Sequence, residues 1–426
     1  MTPPKPHILI TGAGIAGPVF AYFLTLTGLF RTTILERSPT LRKAGQQIDI
    51  RGPGLTIVKR MQLLDIINSK TTKEAGMVFV DGKGRRRAEF PVSGGAGFTS
   101  EIEILRGELV EILVGVTRRE SGSEGGDGKL EIERDESGRE GGGGKTEYIF
   151  GDHVTALEQM DSGVKVTLAS GREQEFDLVI GADGMNSKTR RLAFPDIEDP
   201  KKSLGQYTAY FTISYEERDG TFAQWYNAPG GRCVFLRPDN AGFTRAYLSI
   251  MSDKPKGYEK MTIAEQKNLM RNLFEDAGWE AKRVLEAMET ADDFYMQEIA
   301  QVKMPSWVSG RVALLGDAGY CPSPISGQGT TLAIVGAYIL AGELGKCGGR
   351  WEEGLRGYEE KMRPFVKKAQ KLFPGAPGIA NPQTQRGINI LYSVVGFVSW
   401  SGLPKVFSIF EDGEKKEDKS LPVYEF

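Results

Sequence analysis

His7-Ile8-Leu9-Ile10-Thr11-Gly12-Ala13-Gly14-Ile15-Ala16-Gly17, followed by Thr32-Thr33-Ile34-Leu35-Glu36-Arg37, is the stretch on which the fold turns. Pro6 to Thr11 reads as a short buried strand, Gly14 to Gly28 as a helix and Thr32 to Leu35 as a second strand. Pro18 is tolerated because it falls in the first helical turn, where a missing N–H costs nothing. Strand, glycine-rich turn, helix, strand is the setting in which GxGxxG binds a dinucleotide. Gly12 makes the tight turn, Gly14 lets the backbone approach a pyrophosphate, and Gly17 lets helix pack closely on strand. Ile15 and Ala16 complete the same turn at the helix N-terminus. Glu36 ends the second strand, about 20 residues on, where a carboxylate accepts hydrogen bonds from ribose hydroxyls.

Two later segments extend this reading. Asp177-Leu178-Val179-Ile180-Gly181-Ala182-Asp183-Gly184 is a strand running into a turn, with Ser187 and Arg190 behind it. Leu315-Gly316-Asp317-Ala318-Gly319 follows another buried strand, Arg311 to Leu315, and leads through a Pro-bearing loop to Gly327-Gln328-Gly329. There the Asp317 carboxylate suits a ribityl hydroxyl, and the helix start at Gly327 suits a negatively charged ring. Read alone, Asp317 is equally the N-cap of an ordinary strand-to-helix turn. In this order the three segments read as the parts of an FAD site.

Composition narrows the chemistry. The 426 residues are 40% hydrophobic and 26% charged, as in a soluble globular protein of two domains or one elaborate one. A net charge of -2 makes no electrostatic case for nucleic acid. Cys233, Cys321 and Cys347 lack metal-ligand spacing and even pairing, which suits a reducing, cytoplasmic setting. With two histidines, His7 and His153, a His-rich metal site is excluded and a Ser-His-acid triad is disfavoured. The chemistry falls to a cofactor, carboxylates, tyrosines and arginines. The N-terminus shows no signal-peptide pattern.

Along the chain, helices are expected at Pro53 to Asn68, Leu105 to Val116, Thr262 to Ala277, Ala281 to Glu289, Gly327 to Leu344 and Trp351 to Lys371. Short strands alternate from Val154 to Ile180, and Gln206 to Ile250 reads as antiparallel sheet. Residues 120–145 are Gly-rich and low in complexity, and read as a flexible surface insertion. Ile388 to Phe410 is strongly apolar, but Ser, Gly and a Pro interrupt it, and it lacks the continuous run of about 20 apolar residues that spanning a bilayer needs. It reads as a helical hairpin on the core or over the substrate, with weak membrane contact as the second reading.

The three segments together resemble the FAD-dependent aromatic hydroxylases, the single-component flavoprotein monooxygenases typified by para-hydroxybenzoate hydroxylase, and most of all the tetracycline-inactivating members. The resemblance implies an α/β fold: a Rossmann-like FAD-binding domain, an inserted antiparallel-sheet substrate domain and C-terminal helices. The expected division is residues 1–75, 100–200 and 295–375 for FAD, 76–99 and 201–294 for substrate, and 376–426 for a helical segment and tail. It implies FAD held by Gly12, Gly14, Ile15, Ala16, Gly17, Glu36, Arg37 and Arg106, with Asp183 in the motif shared by FAD and NAD(P)H. Asp317 takes the ribityl chain and Gly327, Gln328 and Gly329 face the ring. Arg42 and Asp49, flanking Gly45-Gln46-Gln47-Ile48, correspond to residues linked to NADPH and to the flavin, and Gln47 joins them.

The same resemblance implies that NADPH or NADH reduces the flavin, which captures O₂ as a C4a-hydroperoxide and oxygenates an aromatic, enolic or terpenoid metabolite. Tyr210, Trp225, Tyr226 and Tyr320 are the candidates to touch substrate, although strand aromatics also serve as core. Many members carry His where this chain has Tyr320, and Asn near Thr331. The competing readings are an isoprenoid reductase, a halogenase, and a non-catalytic binding protein of the same fold. No Trp-x-Trp-x-x-Pro segment of the halogenase kind is present.

Overall fold

The computed structural model describes residues 4–42, 45–92, 102–118, 146–239, 241–348, 350–401 and 420–426. The expected insertion at 120–145 lies outside them. Two sheets organise the chain. The first has six strands, and five of these run parallel in the spatial order Val312–Leu314, Leu178–Gly181, His7–Thr11, Arg31–Glu36, Thr146–Phe150. Alternation along each strand sorts its side chains. Ile8, Ile10, Ile34 and Ile180 point to one core, whereas Leu9, Leu35, Val179 and Val312 point to another.

On the first face lie the helices Ala16–Leu26, Arg106–Thr117 and the long Gly329–Lys346. On the second lies an antiparallel meander of Val154–Gln159, Val164–Leu168 and Glu173–Phe176. Both faces of the parallel sheet are therefore covered, which accounts for its nearly unbroken apolar strands. Each fully buried Ile, Leu or Val contributes about 1.5–3 kcal/mol.

The second sheet has seven strands in the order Tyr295–Val302, Lys201–Ser214, Phe243–Met251, Arg232–Pro238, Ala223–Ala228, Gly76–Val80, Arg86–Pro91. Tyr207, Phe211, Leu236, Leu248 and Val80 fill one face against the helices Ile263–Phe274 and Ala281–Thr290. Thr262 caps the first of these, its hydroxyl accepting from Glu265 N at 3.3 Å while Glu265 returns the contact. A two-stranded ladder, Gln47–Asp49 with Glu103–Leu105, joins the two sheets.

Two local expectations change. Pro53 to Asn68 is two helices, Gly52–Arg60 and Leu64–Ser69, broken where Gln62 takes φ 58°. A left-handed residue cannot continue a right-handed helix. Ile388 to Phe410 is not a hairpin within the described residues. Its described part is a single helix, Gln385–Ser401, whose Tyr392 hydroxyl donates to Val80 O at 2.8 Å. The outer stripe of that helix, Ile390, Val394, Phe397 and Trp400, is exposed. Among the described residues, no helix is long and apolar enough to cross a membrane.

Candidate active site

The three glycine-bearing segments leave the C-terminal ends of three adjacent parallel strands, where ligands of open α/β sheets bind. Thr11 pairs with Gly181, and Gly181 with Leu314. The ladder runs on into the loops: Gly12 N donates to Leu35 O at 2.7 Å, Ala182 N to Thr11 O at 2.9 Å and Leu315 N to Gly181 O at 2.8 Å. The segments then touch directly. A Cβ at Gly12, whose φ is +106°, would stand 2.5 Å from Ala182 O. One at Gly316 would stand 3.3 Å from the Ala16 methyl. A Cβ at Gly17 would overlap Gly12 O. Gly12 and Gly17 are thus required by the protein's own packing.

Gly14 differs. Within 4 Å, its missing Cβ would meet only the Arg106 guanidinium, 3.4 Å away. The space beside it is otherwise open, as a cradle for a bulky anion requires. Glu36 sits at the mouth of this turn. One carboxylate oxygen accepts from Ala13 N and the other from Ser38 N, both at 2.9 Å. Each oxygen keeps a second lone pair for a ribose hydroxyl. Arg37 and Arg42 are exposed.

Asp183 and Asp317 divide the work differently from their motifs. The Asp183 carboxylate accepts from Lys188 N at 2.8 Å, from Thr189 N at 3.0 Å and from the Ser187 hydroxyl. It is therefore bound up in holding the helix Lys188–Ala193. Arg190, on that helix, donates to Ala318 O at 2.7 Å and locks the second segment to the third. Asp317 is reachable by solvent although protein closes around its carboxyl. That enclosure pushes its carboxyl above the usual range, while Cys321 and Arg106 pull it back. Its Oδ1 lies 3.9 Å from the Cβ position of Gly329.

Asp49 meets the same turn from the other side, its Oδ2 3.5 Å from the Cβ position of Gly327. Asp49 also pairs with Arg51 at 3.0 Å. Thr331, the other departure noted above, bridges Arg51 N and O and rests on Gly54, pinning the helix Gly52–Arg60 to the long helix. Gln47 turns toward the second sheet and donates to Pro238 O at 3.1 Å. Gly14 thus lies beside Arg106, and Asp317 and Asp49 lie beside the Gly327–Gly329 turn, which marks a candidate groove from the first turn to the start of the long helix, whereas Ala16 and Gly17 are buried behind it.

The four aromatic candidates separate. Strand register places Tyr295, Tyr210, Tyr247, Phe235, Trp225 and Phe79 in one row across six strands, on the face away from the two helices. Tyr210 stacks on Tyr295 at 4.9 Å and 19°, and Tyr247 meets Tyr210 and Phe235 edge-on. Alongside runs a polar row, Gln297, Thr208, Ser249, Cys233 and Asn227. Tyr226 lies on the opposite face, its hydroxyl donating to Ala277 O at 2.5 Å. Tyr320 is sealed among Trp307, Tyr358 and Gly336, 3.0 Å from the Tyr358 hydroxyl. Phe235, Tyr247 and Tyr295 were missed by sequence reasoning. Their signal is an aromatic on each successive strand, which needs the register to be seen as one row.

The His7 ring lies 2.8 Å from the Thr33 hydroxyl and packs on Phe176, and no metal-holding cluster exists among the described residues. Residues 128–372 match the family described as FAD binding domain. Across 98% of this chain and 97% of its own length, the FAD-dependent monooxygenase asL6 of Sarocladium schorii is 35% identical. The chain is an FAD-dependent monooxygenase. Monooxygenase CTB7 of Cercospora beticola is 35% identical over 99% of this chain and 98% of its own. Among solved structures, the tetracycline destructase Tet(51) superposes with a TM-score of 0.75 at 32% identity, each chain covered in full.

The groove fits FAD on the structure's own terms. The backbone opening at Gly14 and the carboxylates of Glu36 and Asp317 offer what pyrophosphate, ribose and ribityl groups need. If Asp317 holds the ribityl chain of this monooxygenase, Asp317→Ala lowers FAD affinity about tenfold, the worth of one charge-assisted hydrogen bond. Fluorescence titration of the apoprotein with FAD measures this, and unchanged affinity would remove Asp317 from the site.

Proposed function

We propose that this monooxygenase uses NADPH or NADH and O₂ to place one oxygen atom on a medium-sized, planar metabolite, aromatic or enolic in character. The observation that carries this reading is the aromatic row. Six strands contribute one ring each to the face away from the two helices, its Tyr295 end lies beside Gln46 and Arg106, and Phe235 and Trp225 remain partly open. A flat, electron-rich ring gains offset-stacked and edge-to-face contacts there. The polar row beside it offers hydroxyl and amide groups to substrate oxygens. The helix Gln385–Ser401 covers the Phe79 end of the face through Tyr392 and Leu391. Bound FAD supplies the oxygen-activating chemistry.

This chain's residues supply orientation and exclusion of water. The N–H groups at the start of Gly329–Lys346 and the helix dipole favour negative charge at the ring. Arg106, beside Gly14, favours it at the phosphates. Several relatives carry names from fungal sources, in keeping with secondary metabolism. Incubation in air with NADPH or NADH and a set of phenolic, enolic and terpenoid compounds tests the reading. A product heavier by one oxygen supports it, whereas coenzyme consumption without an oxygenated product from any class would sink it.

Two neighbouring residues test the face assignment. Trp225→Ala is expected to raise the substrate KM about tenfold, the equivalent of about 1.4 kcal/mol of lost stacking. Tyr226→Phe is expected to leave KM unchanged and to cost about 1 kcal/mol of stability, for its lost bond to Ala277. Equal effects of both on KM would refute the division of faces.

A further inference from the structure

One buried polar group has no part in the roles assigned so far. Glu74 and Glu103 are both under a tenth exposed, and both hold the guanidinium of Arg237, Glu74 at 3.0 Å. Glu103 stands directly opposite Asp49 in the two-stranded ladder. Asp49 Oδ1 and Glu103 Oε2 are buried with no hydrogen-bond partner among the described residues. The group reaches both halves of the site. Asp49 borders the Gly327 turn, and Arg237 lies two residues along its strand from Phe235, on the same face and beside Tyr247.

Three carboxylates, Asp49, Glu74 and Glu103, thus face two guanidiniums, Arg51 and Arg237. The adjoining Arg245 is paired with Asp239 at 2.9 Å and with Asp293 at 3.8 Å, so it leaves no positive charge to offset the third carboxylate. With every group ionised the cluster carries one surplus negative charge, and one bound proton neutralises it. A surplus charge buried this deeply is costly.

We propose that Glu103, with Glu74, Arg237 and Asp49, is a one-proton store between the flavin end of the cradle and the substrate face, and that its charge state sets how readily the bound flavin accepts electrons. The proposal rests on the reading that the Gly327–Gly329 turn faces the flavin ring. Ionisation sends the proton from the Glu103 carboxyl to water and leaves one negative charge near the ring. That charge opposes electron uptake, so the flavin becomes harder to reduce as pH rises. Burial pushes Glu103 up to about 8, with Glu74 and Asp49 adding to the rise and Arg237 opposing it. Glu103→Gln imitates the protonated state at nearly constant shape and is expected to fold.

Two measurements test this. Infrared difference spectra of the protein between pH 6 and pH 10 should show wild type losing one protonated-carboxyl band, with a midpoint near pH 8, and Glu103→Gln lacking that loss. Removing the neighbouring charge in Glu74→Gln should move the midpoint to lower pH, which gives a second handle should Glu103→Gln fold poorly. In the FAD-loaded protein, the reduction potential should fall more steeply with pH in wild type than in Glu103→Gln, and the two should agree at low pH. The proposal is overturned if no carboxyl band titrates, if it titrates equally in Glu103→Gln, or if both potentials follow one line at every pH. FAD content, read from the yellow absorbance, separately reports any failure of the cradle itself.

Discussion

Gly14→Val is expected to yield a folded, colourless protein. Its FAD affinity should drop by about 100-fold, on the order of the 3 kcal/mol that overpacking a tight site costs. The contrast with its neighbours makes this test clean. Side chains at Gly12 or Gly17 would strike the backbone at Ala182 O and Gly12 O, so those variants damage the fold along with the site. At Gly14 the added Cβ meets only the Arg106 guanidinium. The apoprotein's thermal midpoint should stay within experimental error of wild type, while calorimetric titration registers the lost FAD binding. A yellow Gly14→Val protein with wild-type flavin content would show that the pyrophosphate lies elsewhere.

Arg237→Met should be the most destabilising single change in the second sheet. It leaves Glu74 and Glu103 buried without their cation, and losing one partner of a buried ion pair costs about 3–5 kcal/mol. The pH dependence has a defined sign. Burial already raises both carboxyls, and losing the guanidinium raises them further. A carboxyl whose folded pKa is raised stabilises the fold below its unfolded pKa of about 4.3 and loses that contribution as pH climbs toward the folded pKa. The deficit of Arg237→Met should therefore be smallest at low pH, where both carboxyls are protonated with or without the guanidinium, and grow as pH climbs through their wild-type values, about 8 for Glu103, as measured by urea unfolding. The apolar triple variant Arg237→Met, Glu74→Met, Glu103→Leu should recover most of the loss. A deficit that does not change with pH would mean that the cost is packing, not charge.

The cradle was readable in the sequence to a degree that the substrate face was not. Gly12 and Gly17 are needed for close backbone approach and Gly316 for its positive φ, and glycine meets those needs, so local sequence reveals the position. The alternation of Ile8, Leu9 and Ile10 likewise announces a strand buried on both faces. Asp183 shows where this stops. Its motif marks the right turn, yet its carboxylate is spent on Lys188 N, Thr189 N and the Ser187 hydroxyl. Tyr210, Trp225 and Tyr226 read alike as strand aromatics, because period-two alternation states that neighbours face opposite ways without saying which face is which. Tyr320, inside a motif loop, belongs to the core around Trp307 and Tyr358.

By itself, the sequence determined the parallel sheet, its glycine turn and the three strand ends that meet there, because these depend on steric demands within a few residues. Only the tertiary structure decided that Trp225 lies on the face away from the two helices and Tyr226 on the face against them, and that Glu74 and Glu103 converge on Arg237 with Glu103 opposite Asp49. Those facts depend on strand register between segments as far apart as Glu74 and Arg237, and local alternation carries no information about register.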